Sequence, residues 1–134
     1  MKYLLDTSVY SQALRRQPLQ SVMDRWTSLS EQDICISVIC EMEVLQGLEK
    51  KGSERLWALY YNVLRNRYPV YNVDLAVAET YASLSIIMQN KGLIRPSFDL
   101  LIAATTITHN MTLVTCNFKD FKDIDGLDLE DWLV

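Results

Sequence analysis

The first eight residues do most to limit what this chain can fold into. Tyr3, Leu4 and Leu5 are consecutive apolar residues without polar alternation, and the run stops at Asp6, Thr7 and Ser8. So short an unbroken run suits a strand covered on both faces, the pattern of a parallel sheet. Asp6, Thr7 and Ser8 then stand where the strand ends and a helix begins. In an open α/β sheet, ligands bind beyond the carboxyl ends of the strands, so an acid here is placed for chemistry. The plain alternative is a helix N-cap, for which all three residue types are suited. The two readings part on whether other acids reach the same edge.

The remaining pattern alternates short apolar runs with helical periodicity. Val9 to Arg16 reads as a short helix ending at Gln17-Pro18. Leu19, Val22, Met23, Trp26 and Leu29 mark a second helix at spacings of three and four. Ile34-Cys35-Ile36 is a second strand, after which Ser37 caps a helix running toward Lys50-Lys51-Gly52. An amphipathic helix follows, with Leu56, Leu59, Tyr60, Val63 and Leu64 on one face. Its end at Arg65-Asn66-Arg67 sets cations in the last turn. Tyr68-Pro69-Val70-Tyr71 is a short strand whose proline suits a sheet edge. Asp74 to Lys91 is helical, with Val77, Tyr81, Leu84 and Met88 inward and Gly92 closing it. Phe98 to His109 is apolar almost all round, so that helix is buried. Leu113-Val114 is a strand, and the alternating tail Leu127 to Leu133 supplies a last one. No repeat or linker divides the chain. Residues 1–134 read as a single domain of the α/β class, a short parallel sheet flanked by helices.

Composition narrows the setting. A chain of 134 residues is long enough for one real core. No apolar run approaches the ~20 residues of a membrane span, and Asp6 interrupts the first one too early for a signal peptide. Cys35, Cys40 and Cys116 are odd in number and lack metal or redox spacing, which fits a reduced, cytoplasmic protein. The net charge of −4 argues against a nucleic-acid partner only on average. Residues 120–131 hold six acids and the single base Lys122. The rest is close to neutral, which leaves room for a local basic groove.

Topology then draws distant acids together. Crossover helices run antiparallel to the strands they join, so helix N-termini share an edge with strand C-termini. Asp6 falls on that edge. So does Asp99, in the first turn of the buried helix, and so do Asn117 and Asp120 after the Leu113-Val114 strand. Glu41 and Glu43 lie early in the helix after the second strand, and at least one can reach the same place. Glu41 lies inside the apolar arc of that helix. Glu43 lies at its margin, on one face with Gly47, which would leave open space beside its carboxylate. Two ionised carboxylates ~4 Å apart repel by roughly 4 kcal/mol at an effective dielectric of ~20. A cluster of three must bind a cation, take up protons or stay apart. Oxygen ligands without His or Cys suit Mg²⁺ or Mn²⁺ rather than zinc. The only histidine, His109, sits at the far end of the buried helix, where it complements the helix dipole.

Four blocks in order carry a resemblance: Tyr3-Leu4-Leu5-Asp6-Thr7-Ser8, Ile36 through Gly47 with Glu43-Val44-Leu45-Gln46, Asp99 through Ala104, and Leu113 through Phe121. With Gly126-Leu127 and Glu130-Asp131-Trp132-Leu133, they resemble the PIN-domain ribonucleases, most of all the VapC-type toxins of toxin–antitoxin pairs. The resemblance implies a PIN-like three-layer sandwich and a Mg²⁺- or Mn²⁺-dependent endoribonuclease that leaves a 5′-phosphate and a 3′-hydroxyl. By motif it assigns Asp6, Glu43 and Asp99 to the metal, deciding for Glu43 over Glu41. It makes Asp120, with Asn117 nearby, the more variable fourth position. Thr7 and Ser8 become residues that orient the ligands. Ser8 stands where the family usually has Asn, and Asn117 replaces an acid found in other PIN domains.

The resemblance further implies an RNA substrate, a small antitoxin protein and a homodimer. Arg15, Arg16, Lys50, Lys51, Lys91, Arg95 and Lys119 are candidate contacts to the RNA backbone. Trp26, Trp57, Tyr60 and Tyr61 are surplus apolar residues that would suit a partner surface. One rival is a non-catalytic RNA- or protein-binding module on the same fold. Another, a phosphate-handling enzyme with Asp6 as nucleophile, lacks a second acid at Ser8 and a glycine-rich phosphate loop.

Overall fold

A computed structural model describes all residues, 1–134. Its strands are β1 (Tyr3–Leu5), β2 (Ile34–Ser37), β3 (Val70–Tyr71), β4 (Thr112–Thr115) and β5 (Asp128–Asp131). All pair in parallel, in the order β3-β2-β1-β4-β5. The helices are α1 (Thr7–Tyr10), α2 (Gln20–Ser28), α3 (Val38–Lys51), α4 (Glu54–Val63), α5 (Leu75–Asn90), α6 (Ser97–Thr108) and α7 (Phe118–Phe121).

The first strand is therefore the middle one. Tyr3, Leu4 and Leu5 pair with Thr112, Leu113 and Val114 on one side, and Tyr3 and Leu4 pair with Ile34 and Cys35 on the other. Successive strand residues face opposite sides of a sheet, and the core divides accordingly. Leu5, Ile34, Ile36 and Val114 pack with Val9, Val22, Trp26, Tyr60 and Leu64. Leu4, Cys35 and Leu113 pack with Leu84, Met88, Ile102 and Phe121. This makes three layers, helix on sheet on helix, as the resemblance implies. Coverage on both faces explains why β1 lacks polar alternation. Leu4→Ala would open a cavity at a fully buried position, at a cost of about 2–5 kcal/mol.

The buried helix is α6, which hides Leu100, Ile102, Ala103 and Ala104 together with Thr105 and Thr106. Those two hydroxyls donate back to the carbonyls of Leu101 and Ile102, at 2.8 and 2.9 Å, so no donor is stranded. Ser37 and Asp74 cap α3 and α5 by accepting from the amides of Cys40 and Val77. β3 is the sheet edge that its proline suggested, and β5 forms on the outer side of β4.

Some expectations need correction. Val9 to Arg16 is not one helix: α1 stops at Tyr10 and tightens into a 3-10 turn over Ser11–Leu14. Buried Gln12 fixes the turn, donating to the Ser8 carbonyl at 3.2 Å and accepting from the Leu19 amide at 3.0 Å. α4 ends at Val63, before its cations, and Asn66 takes a left-handed φ of 60°. Arg65 lies over the Tyr60 and Tyr61 rings, and Arg67 bonds Glu31, so neither serves the helix dipole. Trp26 and Tyr60 are core, Trp57 is half-buried, and Tyr61 alone of the four aromatic residues is exposed. His109 closes α6 and packs edge-on against Tyr71, with ring centroids 4.6 Å apart.

Candidate active site

Asp6 leaves β1 with an extended backbone (φ −69°, ψ 158°), and its main-chain carbonyl accepts from the amides of Val9 and Tyr10 to start α1. Its side chain makes no capping hydrogen bond. Instead, Ser8 Oγ donates to Asp6 Oδ2 at 2.8 Å, and Thr115 Oγ1 donates to the same oxygen at 2.9 Å. Both hydroxyls are themselves held. The Cys116 amide donates to Ser8 Oγ at 3.0 Å, and the Asn117 amide donates to Thr115 Oγ1 at 2.9 Å. Burial raises the proton affinity of Asp6. The hydroxyls of Ser8 and Thr115, and the nearby amides of Thr7 and Ser8, oppose it. A carboxylate buried with two aimed donors is oriented, with its other oxygen left for a ligand.

The two glutamates of α3 have different partners. Glu41 accepts from the Tyr10 hydroxyl at 2.5 Å and from the Tyr60 hydroxyl, both inside the core. Burial, then Glu41 itself, pushes the Tyr60 hydroxyl up to about 12, so it stays a donor. Glu41 is therefore committed to holding α1 and α4 against α3. Glu43 faces the sheet edge, where Thr7 Oγ1 donates to its Oε1 at 2.6 Å. A Cβ added at Gly47, one turn on, would meet nothing within 4 Å, so the space beside Glu43 is open.

Asp99 lies in the first turn of α6 and Asp120 in α7. The Asp99 carboxyl is pushed up from 3.8 to about 6. Burial is the largest cause, followed by the negative charges of Asp6, Asp120 and Glu43, with Arg95 pulling the other way. A helix N-terminus alone would favour the charged form; here desolvation and like charge win. The four acids thus share one field, although Glu43, Asp99 and Asp120 lie 37, 93 and 114 residues beyond Asp6, in α3, α6 and α7. They face one another across a gap: no three Asp, Glu, His or Cys side chains grip a single point. Spacing and a raised proton affinity are the two ways in which the chain bears the repulsion. The Asp120 carboxylate makes no hydrogen bond, and only its backbone carbonyl is used, by Arg95 Nε at 3.0 Å. Asn117 is exposed and contributes through its amide rather than its side chain.

A groove of about 500 Å³ opens from Thr7 and Glu43. The 3-10 turn, α3 and α4 form its walls, and Arg15, Arg16, Lys51 and Arg55 are among the side chains lining it. Of the other predicted contacts, Lys91 is paired with Asp125 at 2.5 Å and Arg95 with Asp123 at 3.1 Å. Lys50 and Lys119 are exposed outside this groove. Two residues escape a reading of the sequence. Arg55 looks like any surface base of an amphipathic helix. Thr115 becomes visible only through the register: Leu5 pairs with Val114, which sets Asp6 beside Thr115.

The chain and its fold have known relatives. The PIN domain family matches residues 3–127. The chain is 31% identical over 132 residues to ribonuclease VapC2 of Rickettsia felis, covering 98% of each chain. It is 29% identical over 133 residues to the tRNA(fMet)-specific endonuclease VapC of Shigella flexneri, again covering 98% of each. Among solved structures, VapBC2 from Rickettsia felis bound to a DNA fragment from its promoter aligns with a TM-score of 0.88 and 33% identity, over 98% of this chain and 99% of that one. FitAcB from Neisseria gonorrhoeae aligns with a TM-score of 0.87 and 26% identity, over 97% of each.

Proposed function

Since the chain belongs to the PIN-domain family and groups with its VapC-type toxins, we propose that it is a divalent-metal-dependent endoribonuclease, the toxin of a toxin–antitoxin pair. The observation that carries the reading is the gathering of Asp6, Glu43, Asp99 and Asp120 around one gap, with Asp99 raised to about 6 by burial first and then by the charges of the other three. Such a set answers its own repulsion by taking a cation. All the donors are carboxylate oxygens, which fits Mg²⁺ or Mn²⁺.

Asp6 and Asp99 would hold the ion, and Glu43 would bind it directly or through water. Bound there, the ion supplies an activated water and neutralises charge on the phosphoryl oxygens. The chain's own residues keep the arrangement aimed. Ser8 and Thr115 fix one oxygen of Asp6, and Thr7 fixes one oxygen of Glu43. Ser8 thereby covers for the missing family Asn. Asp120, free of hydrogen bonds, is available to orient the attacking water or a second ion. In-line attack then leaves a 5′-phosphate and a 3′-hydroxyl.

The partners follow from the same relatives. The substrate is RNA, and one relative's name makes initiator tRNA the first species to try. A small antitoxin would restrain the enzyme, as in the VapBC and FitAcB assemblies. Exposed Leu75, Ile86 and Ile87 on α5 offer an apolar face to a second copy. No helix is long and apolar enough to cross a membrane, and three free thiols suit the cytoplasm. The test is cleavage of purified transfer, ribosomal and messenger RNAs. Cutting is expected with Mg²⁺ or Mn²⁺, none in EDTA, and none by Asp99→Asn. Equal cutting by the variant and the parent would overturn the assignment.

A further inference from the structure

We propose that the RNA strand runs from the metal site in one direction, along the groove between the 3-10 turn, α3 and α4, with Arg15, Arg16, Lys51 and Arg55 holding its phosphates. This rests on the ribonuclease reading and adds the path of its substrate. The groove begins at the site itself, because Thr7 and Glu43 are part of its wall. All four cations are exposed. None of them takes part in an ion pair; the three pairs in the molecule are Arg67–Glu31, Lys91–Asp125 and Arg95–Asp123. The only carboxylate on the lining is Glu43, already occupied by Thr7. Four unpaired cations facing one acid form an electrostatic funnel, and a polyanion is its natural occupant.

The other side of the site is the opposite in character. Arg95 and Lys91 are bound by Asp123 and Asp125, and the exposed carboxylates there repel phosphate. A strand seated at Asp6 and Asp99 is therefore drawn one way and turned back the other. Between the cations the groove is apolar at Leu48 and Leu56, and the bare backbone of Gly47 leaves open space where a base can lie. An acidic peptide shares the charge, but RNA is what must already lie next to the reacting carboxylates.

The test is fluorescence anisotropy with labelled single-stranded RNA, every protein carrying Asp99→Asn to stop cleavage. Lys51→Gln with Arg55→Gln is expected to weaken binding at least ten-fold at low salt. It should also flatten the plot of log affinity against log salt by about 1.4, roughly 0.7 for each lost contact. Lys51→Arg with Arg55→Lys should keep the parent's affinity. Lys2→Gln with Lys122→Gln removes equal charge outside the groove and should bind as the parent does. Equal affinity and slope for the groove and control variants would overturn the path. So would a groove variant that keeps RNA but loses the antitoxin, since the groove is then a protein site. Cleavage by the unsubstituted protein in Mg²⁺ is followed in parallel. If it cuts RNA while the groove variant binds normally, only the path falls; if it cuts nothing, the nuclease reading falls too.

Discussion

Thr115 donates from Oγ1 to Oδ2 of Asp6 at 2.9 Å, joining the end of the fourth strand to the end of the first across 109 residues of sequence. The hydroxyl also accepts from the Asn117 amide, so it is the hinge pin between the site and the start of α7. Thr115→Val keeps the shape and removes both bonds. It should cost about 1–3 kcal/mol of stability, from groups left buried and unpaired. It should also lower RNA cleavage by about 10–100-fold through a misaimed Asp6. Urea denaturation and cleavage rates measured together decide the matter, and a variant with normal activity would show that Ser8 alone suffices.

Asp99 predicts a dependence on pH. With a folded value of about 6 against 3.8 unfolded, the folded protein binds the extra proton between about pH 4 and 6. Without metal, stability should fall as pH rises through that window and stay low above it. For a half-exposed carboxyl, screening leaves about 1 kcal/mol of this. Asp99→Asn should therefore be the more stable protein at pH 7 in EDTA and equal to the parent below about pH 4. Parallel denaturation profiles for the two would refute the shift.

Metal binding should show the mirror image. The ion needs Asp99 charged, so Mg²⁺ affinity should drop by about ten-fold per pH unit below 6. Saturating Mg²⁺ should raise the melting temperature at pH 7 and remove the advantage of Asp99→Asn. Isothermal titration across this range, compared with the melts, is the check.

The neighbouring glutamates should separate cleanly. Glu43→Gln should abolish cleavage with little change in stability. Glu41→Gln meets two tyrosine hydroxyls that need an acceptor. It should cost about 1–3 kcal/mol of stability while leaving the folded fraction active. The opposite pattern would reassign the site.

Gly47→Ala adds a methyl where nothing lies within 4 Å and replaces glycine inside α3. It should stabilise the fold by about 0.5–1 kcal/mol. A lowered melting temperature would show that the helix needs glycine there for another reason.

How far the sequence carries can be seen in single residues. Tyr3-Leu4-Leu5 announces a strand buried on both faces because such burial leaves no polar position, and the edge on which Asp6 and Asp99 meet follows from chain direction alone. Glu41 against Glu43 does not follow. The helical wheel sets Glu41 inward, correctly, but cannot show that Tyr10 and Tyr60 wait there. The break after Tyr10 is hidden too, since it depends on Gln12 reaching the backbone on both sides. Charges are the least legible of all. Lys91 and Lys51 look alike in the sequence, yet Lys91 meets Asp125 across 34 residues while Lys51 meets no acid.

The central position of β1 has a consequence in time. During synthesis β1 leaves the ribosome well before β4, its neighbour in the sheet, and Asp6 gains the second of its two donors only when Thr115 emerges. At about 5–20 residues per second, that is an interval of roughly 5–20 s. Until then the sheet edge that gathers Asp6, Glu43 and Asp99 is unfinished. A ribosome that stalls before the fourth strand would release a chain whose central strand lacks one neighbour and whose Asp6 lacks the Thr115 donor.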